Sequence, residues 1–211
     1  MSELTVREPK AGNATQKALQ VLRFQIISGA LMPGEQIRQQ EMAEQLGVSR
    51  VPLREALGIL ADFGLLEHRP NSGFFVVKRA RNEVQQIVRM LCLLENELMD
   101  SLTTMPSETL EALAKLHKEM AAAVADEDCT PFLLKNRQFH FHIFDRSPHK
   151  IIFGEVQRLW LLADPFIALK LSTIDERQRA VREHGELLAA LKKGDMEDAG
   201  KIMNGHRGTL P

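Results

Sequence analysis

Two apolar-striped segments separated only by Gly47-Val48-Ser49 set the strongest limit on how this chain can fold. The first, 39–46, carries Met42, Ala43 and Leu46 on one helical face and stops at Gly47, a residue suited to the left-handed position that ends a helix. Ser49 can cap the second, whose Pro52 sits in the first turn, where a missing N–H costs nothing. That helix buries Leu53, Ala56, Leu57, Leu60 and Ala61 and ends near Phe63-Gly64. Two short helices on so tight a turn are a helix-turn-helix pattern. Before them, 14–27 reads as a helix with Ala18, Leu19, Leu22, Ile26 and Ile27 on one face, followed by a Gly- and Pro-punctuated turn over 29–34. After them, the strand-like runs 65–68 and 74–77 flank Arg69-Pro70-Asn71-Ser72-Gly73 and predict a β-hairpin. Helix, helix, helix, hairpin is the order of a winged helix-turn-helix, which we assign to residues 14–78. Residues 1–13 are polar, carry no apolar leader and read as a flexible N-terminal segment.

From residue 79 onward the pattern is helical throughout, with six helices expected near 82–104, 107–127, 130–145, 149–170, 174–193 and 195–208. The breaks are Met105-Pro106-Ser107, the acidic 126–128, Ser147-Pro148, a Ser172-Thr173 cap and Gly194. The expected fold is therefore mainly α: an N-terminal winged helix-turn-helix and a C-terminal six-helix all-α bundle over 79–211.

Composition excludes fibrous, disordered and disulfide-stapled classes, because 44% of the residues are hydrophobic, 26% are charged and only Cys92 and Cys129 could pair. Both cysteines fall among apolar residues and read as small buried hydrophobes, in keeping with a reducing cytoplasm. No apolar run approaches the length of a membrane span. The net charge of −1 argues against coating nucleic acid by bulk electrostatics, but it divides unevenly. Residues 14–80 hold eight Lys/Arg against six Asp/Glu, and residues 81–211 hold seventeen against twenty, so the positive end carries the helix-turn-helix.

In a helix-turn-helix the second helix enters the major groove with its N-terminal residues toward base edges. Those residues here are Ser49, Arg50, Val51, Pro52 and Arg54, and the two arginines lie one turn apart on a single face. Arginine is the side chain best shaped to read guanine O6 and N7 bidentately. Arg38 and Gln40, at the start of the preceding helix, would lie near phosphates, and Arg69, Asn71 and Gly73 of the wing would touch the adjacent minor groove or backbone. Two half-sites about one helical turn apart require two such helices, so a homodimer on a double-stranded DNA operator is expected.

In the helical half, His140, His184 and His206 each lie on a different expected helix, and Asn136 precedes His140 by one turn on the same face. Facing helices can converge inward side chains on a common centre. Three imidazoles and one oxygen suit a divalent metal, Zn²⁺ first and Ni²⁺ second. The alternative is three core histidines satisfied by water or polar neighbours. His68, His117 and His149 have no companions that suggest a site.

The run Pro33-Gly34-Glu35, then Met42-Ala-Glu-Gln-Leu-Gly-Val-Ser-Arg50-Val-Pro-Leu-Arg-Glu-Ala-Leu57, then Gly64-Leu-Leu and Arg69-Pro-Asn-Ser-Gly-Phe-Phe-Val76, resembles the winged-helix domain of the GntR family of bacterial transcription regulators. The resemblance implies operator-base contacts from Arg50 and Arg54 and minor-groove entry at Gly73, with Ser72 standing where many relatives carry a basic residue. The helical half, through Asn136-Arg-Gln-Phe-His140, Glu183-His184 and His206, resembles the effector-binding FCD domain of the FadR subfamily, in its shorter VanR-like branch. That implies a metal at the floor of a pocket, where a small organic acid completes the coordination. Members with the full motif have aspartate at the position of Asn136, so this site loses one negative charge. Arg89, Arg137 and Arg158 are candidates to pair with the effector carboxylate, surface salt bridging being the other reading of each.

The helix 156–171 is unusually apolar. Its Leu159, Leu162, Phe166 and Leu169 read first as bundle core or dimer surface; facing the cavity, they would select an acid with an apolar body. The functional expectation is a one-component regulator, repressor in sense, rather than an enzyme. The alternative is a metal-dependent hydrolase with an accessory winged domain, for which Glu183 and Glu186 would be the general-base candidates, although HExxH, GxSxG and P-loop patterns are all lacking.

Overall fold

A computed structural model describes residues 12–207. In the N-terminal unit, α1 (Asn13–Ile27), α2 (Gln39–Leu46) and α3 (Arg50–Asp62) are joined to a small sheet of β1 (Gln36–Ile37), β2 (Leu66–Arg69) and β3 (Gly73–Val76). Gly47 takes the left-handed conformation expected of it, with φ 63°. Ser49 has the extended backbone of a capping residue, yet its side chain makes no cap hydrogen bond. Asn13 already lies inside α1, so the expected flexible segment loses its last residue to a helix; residues 1–11 lie outside the described chain.

The strand β1 was not expected, because two residues are too few to show alternation. It pairs antiparallel with β3, Gln36 opposite Phe75 and Ile37 opposite Phe74, giving the order β1-β3-β2. The hairpin closes at Arg69 opposite Gly73, one residue beyond the expected strand ends. Asn71 (φ 61°) and Gly73 (φ 86°) turn the tip through left-handed backbone, which those two residue types tolerate best.

The C-terminal unit consists of α4 (Arg81–Asp100), α5 (Ser107–Ala122), α6 (Thr130–Phe144), α7 (Lys150–Lys170), α8 (Ile174–Lys193) and α9 (Met196–Arg207). The helix α4 packs on α7 and α9, α5 on α6 and α8, and α8 on α9. Leu102, expected at the end of a longer α4, and Met105, expected in the break, are both buried in the loop that follows it. Trp160, Phe132, Phe139 and Phe144 fill the centre of the bundle, and the Trp160 indole N–H donates to buried Glu95 at 2.6 Å. Cys92, in α4, and Cys129, at the N-cap of α6, are half-buried rather than buried.

The two units meet along α7. Leu161, 1% exposed, inserts into the winged-domain core beside Leu22, Leu57 and Leu60, while its neighbour Trp160 faces the bundle. Arg79 ties the seam by donating to the Gly64 carbonyl at 2.6 Å. Pro165 interrupts α7 from within, leaving the Leu161 carbonyl without its usual helical donor.

Candidate DNA-reading face and candidate metal centre

On the winged unit, burying Leu53, Ala56, Leu57 and Leu60 turns the opposite face of α3 outward, so Arg50, Val51 and Arg54 are exposed at its start. The Arg50 guanidinium donates to the Gln40 side-chain carbonyl, which brings the leading residues of α2 and α3 into one surface. Gln40 also donates to Glu44 at 2.8 Å, and Arg38, at the N-cap of α2, pairs with Glu41 at 3.2 Å on the exposed surface. Such exposed pairs contribute little and exchange readily for a phosphate. On the wing, Arg69 lies 4.3 Å from the Phe75 ring centre and pairs with Glu67 at 3.0 Å, which holds the Glu67 carboxyl below its ordinary range. Asn71 and Ser49 are exposed, Pro52 and Gly73 half-buried. All nine residues expected to face DNA thus lie on the α2–α3 and wing portion of the winged unit, seven of them exposed.

In the bundle, α6, α8 and α9 bring His140, His184 and His206 together, with their ring nitrogens within 4.8 Å of one another. His140 and His184 are buried, their Nε2 atoms 3.1 Å apart, and the His140 ring lies 5.2 Å from that of Trp160. Asn136 is 3% exposed one turn before His140, and its Oδ1 has no hydrogen-bond partner. An orphaned buried carbonyl beside converging imidazoles is what a cation would satisfy, so this donor set fits a metal. On the outer side, His206 Nδ1 is bound to the Glu183 carboxylate, which also accepts from Arg179 at 2.8 Å. The His206 contact, helped by Arg179 against the cost of burial, pulls the Glu183 carboxyl down to about 2.

A small pocket, about 30 Å³ in cavity volume, opens over these groups. Its charged lining is Lys170, Arg179, Glu176 and Glu183; Asn136, His140 and His206 form its inner wall. The arginines expected to hold an effector are elsewhere. Arg89 is exposed on α4, and Arg158 pairs with Glu155 at 2.9 Å beside a separate surface groove. Arg137 is buried against Asp164, 4.5 Å from the Phe141 ring centre. Burial pushes its guanidinium below the ordinary value while Asp164 opposes that, and an arginine remains charged in such a pair. Lys170 and Arg179 line the pocket instead, and the one sequence signal for this is that Glu176, Arg179, Ala180 and Glu183 recur at the spacing of a single helix face on α8. Of the apolar positions on α7, Leu159 is bundle core, Leu169 is 65% exposed, and Leu162 and Phe166 face the seam between the two units.

Comparison with known proteins agrees with this division. Residues 14–76 match the family described as bacterial regulatory proteins, gntR family, and residues 86–209 match the FCD domain. The chain is 32% identical to the HTH-type transcriptional regulator McbR of Escherichia coli, over 83% of this chain and 81% of that protein. It is 26% identical to the gluconate operon transcriptional repressor of Bacillus subtilis, over 82% of this chain and 74% of that one. The solved structure of E. coli McbR/YncC superposes with a TM-score of 0.82 over 93% of this chain and 94% of its own, at 26% identity. These relatives are transcription regulators, not enzymes, and nothing among them supports a hydrolase. Among the described residues no helix is long and apolar enough to cross a membrane. The chain belongs to the gntR family of bacterial transcription regulators, and its helical half is an FCD domain.

Proposed function

We propose that this regulator is a cytoplasmic repressor that binds a palindromic operator as a homodimer, and that a small organic acid bound over a metal in the FCD pocket controls it. The division near residue 78 separates the reading unit from the sensing unit. The observation that carries the metal is the meeting of three histidines from three helices beside the unpartnered Asn136 Oδ1. A Zn²⁺ ion held by Asn136, His140, His184 and His206 would offer an open position to a carboxylate. His206 is oriented for this by Glu183, which occupies Nδ1 and leaves Nε2 for the centre. Lys170 and Arg179 at the mouth attract an anion, while Glu176 and Glu183 limit how much negative charge the pocket accepts. Relatives named as repressors support the sign of regulation.

Two half-sites need two recognition helices, which supports the dimer. An acid that prefers one placement of the winged units over another shifts operator affinity by the ratio of its two affinities. The test is a thermal-shift screen of small carboxylic acids on zinc-loaded protein. An acid that raises the melting temperature of the wild type and leaves His184→Ala unmoved supports the reading; equal shifts in both proteins overturn it.

A further inference from the structure

A second cavity, of about 260 Å³, lies between the winged unit and the bundle, away from the histidines. Leu31, Val76 and Val77 wall it on the winged side, and Leu162, Pro165 and Phe166 of α7 on the other. Among the described residues its charged lining is Lys78 and Arg79, with no carboxylate, unlike the histidine pocket. Lys78 is exposed at the rim, whereas Arg79 spends a donor on the Gly64 carbonyl. Apolar walls with a positive rim select a ligand with an apolar body and one negative head.

We propose that this seam is a second ligand site, for a small amphipathic carboxylate of the medium-chain fatty acid type. The apolar body lies against Leu162 and Phe166, and the carboxylate meets Lys78, with Arg79 beside it. Leu162 and Phe166 stand out in the sequence as apolar positions for which the histidine pocket has no use, since neither lines it. A ligand here touches both units at once, so it binds the arrangement in which they are seated together and disfavours others.

The probe is octanoate, followed by calorimetric titration and thermal shift on the zinc-loaded full chain, with hexylamine as a cation of similar apolar body. Octanoate should bind and raise the melting temperature while hexylamine does neither. Leu162→Trp, which fills the cavity, should abolish octanoate binding, and Lys78→Gln, a surface change that leaves packing intact, should weaken it about tenfold. His184→Ala should bind octanoate like the wild type, which separates this site from the histidine pocket: failure of the metal reading leaves this result untouched. Absence of octanoate binding, equal binding by Lys78→Gln, equal binding by a folded Leu162→Trp, or loss of binding in His184→Ala would each overturn the proposal.

Discussion

The Nε2 atoms of His140 and His184 lie 3.1 Å apart. Two imidazole nitrogens on one zinc ion would be separated by about 3.4 Å in tetrahedral and about 2.9 Å in right-angled coordination, so the pair stands between the two without moving. Metal removal therefore has a definite expected cost. Chelation of the zinc-loaded protein should lower its melting temperature by about 10 °C, the effect of a ligand present at roughly a thousandfold its dissociation constant. Scanning calorimetry with and without chelator checks this, and an unchanged transition counts against a bound metal.

Asn136→Asp returns a carboxylate to the centre at a position that is already buried and one turn from His140. Competition against a chromogenic chelator should show zinc affinity at least about tenfold higher, because a charge replaces a dipole at contact distance. The same variant should bind an acidic effector less tightly, since that effector then meets an added negative charge.

Glu183 holds His206 from outside the centre, so Glu183→Gln should weaken zinc about 10- to 100-fold without removing a ligand. In the metal-free protein the same contact predicts a pH signature. The Glu183 carboxyl ordinarily titrates near 4.5 and is drawn down to about 2 in the fold, so its contribution is fully present above 4.5 and is lost as pH falls toward 2. Denaturation of wild type and Glu183→Gln should differ at pH 6 and converge near pH 2. A difference that grows toward low pH would reverse the assigned sign.

Asp164→Ala removes the partner of a buried guanidinium that is 5% exposed and lies near the Phe141 and Trp160 rings. Leaving Arg137 charged and unpaired should cost about 3–5 kcal/mol in chemical denaturation. A loss below 1 kcal/mol would mean that water reaches Arg137.

On the winged unit, Arg50→Ala should cost about 1–3 kcal/mol of specific operator binding, and Arg54→Ala a similar amount. Arg69→Ala should weaken binding evenly across sequences and reduce the salt slope by about one. Fluorescence anisotropy on the protein's own upstream DNA at several salt concentrations separates the two patterns. Unchanged binding in both Arg50→Ala and Arg54→Ala would remove α3 as the reading helix.

The order of helices was legible because each apolar stripe has a period of 3.6 and the breaks carry Gly, Pro or a cap, the acidic 126–128 excepted. Gly47 and Gly194 mark helix ends by their left-handed backbone, as their residue type suggests. The strand β1 was not legible, since Gln36 and Ile37 become a strand only through their pairing with Phe74 and Phe75. The histidines could be grouped from their helices alone, but the pocket mouth could not. Arg137 follows Asn136 in sequence and looks like an effector clamp, yet helical geometry rotates it about 100° away, onto Asp164. Lys170 and Arg179 lie on different helices, and periodicity does not say which helices will be neighbours.

The metal is the centre of the account, and its stoichiometry is the most direct measurement. Elemental analysis of wild type and His184→Ala, purified alike without a metal-affinity step, should find about one zinc per chain in the first and almost none in the second. Equal content in the two proteins, or no metal in either after zinc loading, would contradict it.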